Sequence, residues 1–337
     1  MDFKELTEKL NQNSLQCDDR VVDLRGIKYE VKDGESKLVG ESITYFFKND
    51  PQNPKDPTVV HAAKQFCSMI GVPFSFYFKN PEMIRKQLVD CWLPSLGAEK
   101  SIVLMKVRRT GPESQGWIIR AVLPAEFTNI SNLEVLEKIS AATHDDFLLE
   151  FVIGEGRDEL VFHVRLIAKE QFEAFGEQCS VGFSVTASEL GACPLTVETL
   201  LFRTPSRSAL MASYAGEPYF SCVYEMIQPK DLLTLFPQLI GRMKSQLPEI
   251  KDRIQATKEL KFAQGGIEQA LLQLRLKKGL SEKFHVRLQQ VVQGEPPKDT
   301  WDLANKIAVI AKDFDIERRV KIEKAAGALV GLTFAKV

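Results

Sequence analysis

The chain is poor in the residues on which most enzyme chemistry is built. Of its 337 residues only 4 are histidine (His61, His144, His163 and His285), and they stand far apart. Zinc sites gather Cys and His at short spacing, so no metal ligand set is expected. The one local group, His144-Asp145-Asp146, could hold a borderline metal. It equally suits the negative pole of a helix. The 6 cysteines (Cys17, Cys67, Cys91, Cys179, Cys193 and Cys222) form no Cys-x-x-Cys pair. Several lie in apolar runs, where a free thiol acts as a small hydrophobe. Reduced thiols in a cytoplasm are expected.

Other absences narrow the field further. No Gly-x-x-x-x-Gly-Lys-Ser/Thr run is present, and no Gly-x-Gly-x-x-Gly opens a helix, so the common phosphate cradles are missing. Gly154 and Gly156 form the nearest pair, and a hairpin turn accounts for them. No Gly-x-Ser-x-Gly elbow surrounds a serine. No apolar run approaches the ~20 residues of a membrane span. The opening MDFKELTEKL lacks the basic-then-apolar order of a signal peptide. These absences lead us to expect no catalytic residue, no cofactor and no membrane.

The net charge is only -1, but its distribution is uneven. From Pro229 onward 20 basic residues face 13 acidic ones, a net of +7, while the preceding part carries −8. A basic tail on an acidic body is compatible with a polyanion partner. It is also what exposed lysine-bearing helices give.

Along the chain, Asp2 to Asn11 has Phe3, Leu6 and Leu10 on one helical face. Period-two runs then mark strands at Val21 to Glu30, Lys37 to Phe47, Ser101 to Arg109, Gly116 to Leu123, Phe147 to Ile153, Glu159 to Ile167 and Pro218 to Tyr224. Helices are expected from Thr58 to Gly71, from Pro81, over Asn132 to Thr143, and briefly at Glu170 to Phe175. From Pro229 the period is helical throughout, with five or six helices. In the first of these, Pro248 either opens a new helix or kinks the old one. The expected fold class is α+β: a largely antiparallel sheet with short helices, followed by an all-α C-terminal domain. The expected divisions are an N-terminal helix (1–13), the sheet domain (14–228) and a basic helical domain (229–337).

The stretch VGFSVTASELGACPLTVETLLFR, Val181 to Arg203, reads as strand, tight connection, strand. Ser188 and Glu189 sit in the connection, where side chains can bond loop backbone donors. Gly191 can supply a backbone angle that other residues avoid. The run Gly182, Phe183, Val185, Ser188, Glu189, Gly191, Leu195, Val197 resembles the signature of the phage/plasmid-like family of uncharacterised mobile-element proteins. Ala62 to Tyr77, Trp117 to Phe127 (with Arg120) and Trp301 to Leu329 resemble further parts of that family. One turn departs from it: Arg203-Thr204-Pro205-Ser206-Arg207 stands where members tend to have Cys-Thr-Asn-Gly. The resemblance implies a phage or plasmid setting, and brings no assigned activity.

Basic residues on strands are the main candidates for a function. Lys106, Arg108, Arg120, Arg165, Arg203 and Arg207 all fall in or beside strands. If Lys106, Arg108, Arg120 and Arg165 share a face, a basic sheet surface results that can track a phosphate backbone. Trp117, Phe127, Phe162 and Tyr214 would then offer stacking, or else simply form core. In the tail, Lys244, Lys251 and Lys258 recur every seven residues beside an apolar seam. The resulting expectation is a non-enzymatic protein that binds single-stranded nucleic acid in DNA replication or recombination and assembles as a homo-oligomer. The alternative is a self-assembling structural or host-interaction phage protein without nucleic acid. An enzyme working through Glu189 and nearby arginines is the third reading.

Overall fold

The computed structural model describes residues 3–32, 35–40, 43–47, 57–109, 116–143, 146–151, 160–174, 176–214, 220–224, 229–257, 266–276 and 280–334. The His144-Asp145 pair, Gly154, Gly156 and Lys258 lie outside them.

The fold is α+β. Helix α1 (Phe3–Ser14) precedes β1 (Cys17–Asp23), β2 (Lys28–Lys32), β3 (Glu35–Val39) and β4 (Thr44–Phe47). Four helices follow: α2 (Pro57–Met69), α3 (Phe74–Lys79), α4 (Glu82–Trp92) and the single turn α5 (Ala98–Ser101). Strands β5 (Ile102–Arg109) and β6 (Gly116–Pro124) complete a six-stranded sheet of order β1-β5-β6-β4-β3-β2. All its pairs are antiparallel except β4 with β6. Where one strand was expected over Val21 to Glu30, a 3-10 turn at Leu24–Gly26, capped by Asp23, divides β1 from β2.

The second sheet follows α6 (Asn132–Thr143). Its strands are β7 (Phe147–Phe151), β8 (Phe162–Ala168), β9 (Phe172–Ala174), β10 (Glu177–Ala187), β11 (Leu195–Arg203) and β12 (Ser208–Met211). The main order is β12-β11-β10-β8-β7, with β9 beside β10 and β14 (Phe220–Cys222) beside β11. The short helix expected near Glu170 to Phe175 is therefore strand β9, because Phe172 to Ala174 pair with Glu177 to Cys179. Strand β13 (Ser213–Tyr214) runs parallel to β15 (Thr333–Phe334) near the end of the chain.

The C-terminal helices are α7 (Pro229–Thr257), α8 (Gly266–Leu276), α9 (Glu282–Gly294), α10 (Thr300–Ile310) and α11 (Ile316–Leu329). Pro248 neither ends nor restarts α7, which runs through both Pro237 and Pro248. Ser281, Asp299 and Asp315 cap α9, α10 and α11, each accepting a backbone N–H from the first turn. Among the described residues no helix is long and apolar enough to cross a membrane.

Three main cores stack through the molecule. One lies between the first sheet and α2 to α4 (Tyr29, Phe66, Val89, Met105, Ile119). The second lies between the two sheets, with α1, α6 and the start of α7 (Leu6, Leu123, Ile139, Phe183, Val185, Phe236). The third joins the second sheet to the tail helices (Val181, Leu201, Leu210, Phe284, Leu303, Ile322). The tail thus takes part of its core from strands.

The other face of the second sheet carries a row of polar residues. Glu150, Arg165, Ser184 and Glu198 are register partners on β7, β8, β10 and β11. Helix α11 covers this row. Glu323 accepts from Arg165, Lys324 pairs with Glu198, and Gly327 seats directly on the Met211 backbone. His163 is buried beside the row, its Nδ1 2.8 Å from Thr186 Oγ1. Burial, and then the charges of Arg165 and Arg319, hold its imidazole well below the usual histidine range. In the unfolded chain the group takes a proton near pH 6.5, whereas in the fold it does not. Stability contributed by neutral His163 is therefore complete above pH 6.5 and falls by up to about 1.4 kcal/mol per pH unit below it. His61, also lowered chiefly by burial, acts in the same direction. Denaturant unfolding at pH 7.0, 6.0 and 5.5 is expected to show this loss, and His163→Gln to flatten it.

Candidate functional site

The Ser188 to Gly191 turn is the joint between the layers. Ser188 Oγ donates to Leu160 O at 2.7 Å and accepts from Ala192 N at 2.9 Å, while Ser188 N donates to Tyr224 Oη at 2.8 Å. Leu190 O lies within reach of two α2 side chains, Gln65 Nε2 at 2.9 Å and His61 Nε2 at 3.1 Å. Gln65 in turn accepts from Val122 N of β6. Gly191 has φ +69°, and a Cβ there would stand 2.7 Å from Leu123 Cδ2. A residue with a side chain would meet both the left-handed backbone and that methyl group. Ser188 and Gly191 of the family-like motif therefore hold α2, β6 and the β10–β11 connection together. Ser188→Ala is expected to remove about 1–3 kcal/mol, because Leu160 O and Ala192 N lose their side-chain partner. Chemical denaturation measures it.

Glu189 faces a different environment. Its Oε2 accepts from Asn132 N at the start of α6 (3.2 Å), and its Oε1 accepts from Arg120 Nη1 and Nη2 (3.4 Å each). Arg120 reaches it because of a bulge. Lys106 is opposite Ala121, yet Val107 is opposite Ile119, so Arg120 is the extra residue on β6. The bulge also changes the parity of the strand. Trp117 and Ile119 face the α2–α4 core before it, and Val122 does so after it, while Ala121 and Leu123 turn to the core between the sheets. Such an insertion re-aims a side chain, and here it brings Arg120 to the side of Lys106.

Lys106 and Arg120, each only 5% exposed, together line an open pocket of about 360 Å³ with Asp19, Asn132, Cys17 and Glu189. Lys106 donates to both Asp19 carboxylate oxygens (3.1 and 3.2 Å) and to Asn129 Oδ1 (2.7 Å). Arg120 Nη1 also lies 3.2 Å from Cys17 Sγ. The pocket therefore holds charges of both signs, each set against its opposite.

The remaining strand cations do not join this group. Arg165 is 0% exposed and pairs with Glu323 on the second sheet. Arg203, 7% exposed, pairs with Glu177, with its guanidinium 5.8 Å from the Trp301 ring. Arg108 is half-buried on β5, opposite Cys17. The single basic sheet surface expected from the sequence is thus corrected: Lys106, Arg120, Arg165 and Arg203 are buried, divided between two sheets and matched by carboxylates. Trp117, Phe127 and Phe162 are buried as well. Lys244 and Lys251 lie in α7 and Tyr214 in β13.

Arg207 is the exception. Its side chain is 73% exposed, with Glu150 at 3.6 Å, and its backbone takes the left-handed region at φ 48°. That region is uncommon for a residue with a Cβ. Lys312, in the Ala311–Asp313 turn, donates to Ser206 O and fixes this loop to the tail. Burial and the neighbouring Arg319 lower the Lys312 ammonium below the usual lysine range; Glu150 opposes the shift and Arg207 adds to it. The sequence singled out this loop but not its tail partner, since Lys312 is 106 residues from Ser206.

Among the described residues, no group of three His, Cys, Asp or Glu is placed to hold a metal ion. In comparison with known proteins, the chain matches no family model, no curated protein and no solved structure. The functional reading therefore rests on the residues themselves.

Proposed function

We propose that the protein binds single-stranded nucleic acid without enzymatic chemistry, at the corner formed by the 204–207 loop, the Ala311–Asp313 turn and the basic helical tail. The carrying observation is the exposed Arg207 beside the exposed Lys312, two cations open to a phosphate, with Glu150 at 3.6 Å from Arg207 and Arg319 behind them held by Glu323. The net charge of +7 from Pro229 onward supports the same reading. Arg287 on α9 adds a further half-exposed cation beside Asp313. On this reading the contact lies away from the strand arginines, in a protein of phage or plasmid DNA metabolism. Binding of a labelled single-stranded oligonucleotide is expected to weaken with salt, and the Arg207→Ala/Lys312→Ala variant, which removes two cations, to lower the magnitude of the log–log slope by about 1.4. Salt-independent binding, or an unchanged slope, would count against the proposal.

One observation favours the alternative reading, a self-assembling or host-interaction protein. Phe76 and Phe78 on α3 and Met83 on α4 are 51%, 66% and 69% exposed. Exposed large apolar side chains on this helical segment are candidate points of contact with another protein. Light scattering that rises with concentration and ignores nucleic acid supports this reading instead.

A further inference from the structure

The outermost strands of the first sheet, among the described residues, are β1 and β2. An edge strand carries a row of N–H and C=O groups with which another strand can pair. On β2 this row borders a groove of about 500 Å³. Its other wall is made by Lys86 and Asp90 of α4 and by Leu93 and Pro94, which follow that helix.

One hydrogen bond shows which main-chain groups of β2 point outward. Lys86 Nζ donates to Tyr29 O at 3.1 Å, so this carbonyl faces α4 and the groove. In an antiparallel ladder the N–H and C=O of one residue point the same way, and the direction alternates along the strand. The groups of Tyr29 and Val31 are therefore the outward ones, while those of Lys28 and Glu30 pair with β3. The side chains alternate too. Tyr29 is buried in the core beneath α2 to α4, with Ile27 and Val31 packed partly against it. Lys28 and Glu30 stand on the other face. Lys28 is exposed, and the Glu30 side chain is 47% exposed even with Lys37 of β3 at 2.9 Å.

We propose that a second copy of this chain docks at this edge, its β2 adding antiparallel to the first with Tyr29 opposite Tyr29 at the two-fold axis. In that register the two Tyr29 residues exchange both of their main-chain bonds. On the open face, Lys28 of each copy stands opposite Glu30 of the other. These are the non-hydrogen-bonded pairs, in which side chains lie closest. On the core face, Val31 of each copy meets Ile27 of the other. Strand β2 is thus its own complement in both charge and polarity.

The opposite edge lacks this property. Antiparallel self-pairing of β1 centred on Asp19, Arg20 or Val21 would set Asp19 against Asp19, Arg20 against Arg20, or Asp19 against Asp23. Like charges directly opposite one another oppose pairing, so β1 is protected where β2 is not. Lys86 guards the β2 edge by holding Tyr29 O. Its ammonium also donates to Asp90 at 2.6 Å, so it can release the carbonyl and keep a charged partner.

Sedimentation velocity of the full chain across a range of concentrations, at low salt and without nucleic acid, is the test. The parent is expected to pass from monomer to dimer. Lys28→Glu and Glu30→Lys each set like charges opposite one another twice in the interface, and each is expected to raise the dissociation constant by about tenfold or more. The double exchange Lys28→Glu/Glu30→Lys makes the opposed charges unlike again and is expected to return the constant close to the parent value. Circular dichroism checks that the variants are folded. A chain that stays monomeric at every concentration would overturn the proposal and leave the edge to a strand of a different protein. Dimerisation that ignores the single reversals, or that the double exchange does not restore, would overturn it as well. Phe76, Phe78 and Met83 are untouched in these variants, so a dimer formed through them would persist in all three.

Discussion

Glu323→Ala is expected to remove about 3–5 kcal/mol of stability, as breaking a fully buried ion pair does when one charge is left behind. Both partners of the Arg165–Glu323 pair have 0% side-chain exposure. Arg165 Nε and Nη1 already lack partners, so the single bond from Nη2 to Glu323 carries the guanidinium. Removing the carboxylate leaves that charge in the sheet with Glu150, its register partner, and Glu198, already paired with Lys324, as the remaining acids in the row. Arg319, whose Nε donates to the other Glu323 oxygen at 2.9 Å, loses its partner too but lies nearer solvent. The paired change Arg165→Met/Glu323→Leu is expected to restore the parent stability or exceed it, because an apolar pair of similar volume needs no desolvation of charge. Urea denaturation of the two variants separates the cost of an orphaned charge from the value of the pair.

Gly327→Ala is the second large effect, and it sets local preference against packing. In an exposed helix, alanine is better than glycine by about 1 kcal/mol. At position 327 a Cβ would stand 2.0 Å from Met211 O and 2.9 Å from Met211 C, both backbone atoms of β12. A strand backbone cannot turn aside as a flexible side chain can, so α11 must lift from the sheet. That motion pulls Glu323 from Arg165 and Lys324 from Glu198. A net loss at or above the upper end of the about 1–3 kcal/mol range for overpacking is expected. Gly182 on β10 is subject to the same limit, with a Cβ 2.1 Å from Leu166 O. Gly241 in α7, where a Cβ meets nothing within 4 Å, is the control. Gly241→Ala is expected to stabilise by about 0.5–1 kcal/mol. Thermal unfolding of the Gly327 and Gly241 variants distinguishes the two mechanisms directly.

Much of the α+β pattern was legible because it depends on near neighbours. The alternation of Val181, Phe183 and Val185 and the helical face of Phe3, Leu6 and Leu10 are both written within a few residues. What escaped the sequence depends on distant partners. Arg165 read as part of an open, basic sheet face, since period two implies one wet face. Helix α11, more than a hundred residues later, covers that face and buries Arg165 with its neighbour Glu198. The bulge at Arg120 was hidden for a related reason: GWIIRAVLP is apolar on both sides of the arginine, so alternation cannot reveal a change of parity. Strand β9 and the parallel β13–β15 pair are too short to carry a pattern of their own. For the candidate sites, residue type was a good guide and exposure was not. Lys106 and Arg120 do share a face, but carboxylates already occupy it.

The central claim is that the strand arginines build the fold while the corner of Arg207 and Lys312 carries the binding surface. The most direct test is fluorescence anisotropy of a labelled single-stranded oligonucleotide at two salt concentrations with three proteins: parent, Arg207→Ala/Lys312→Ala, and Arg165→Met/Glu323→Leu. The account predicts salt-sensitive binding that the corner variant weakens and the buried-pair variant keeps. Loss of binding in the folded buried-pair variant, with the corner variant unaffected, would contradict it.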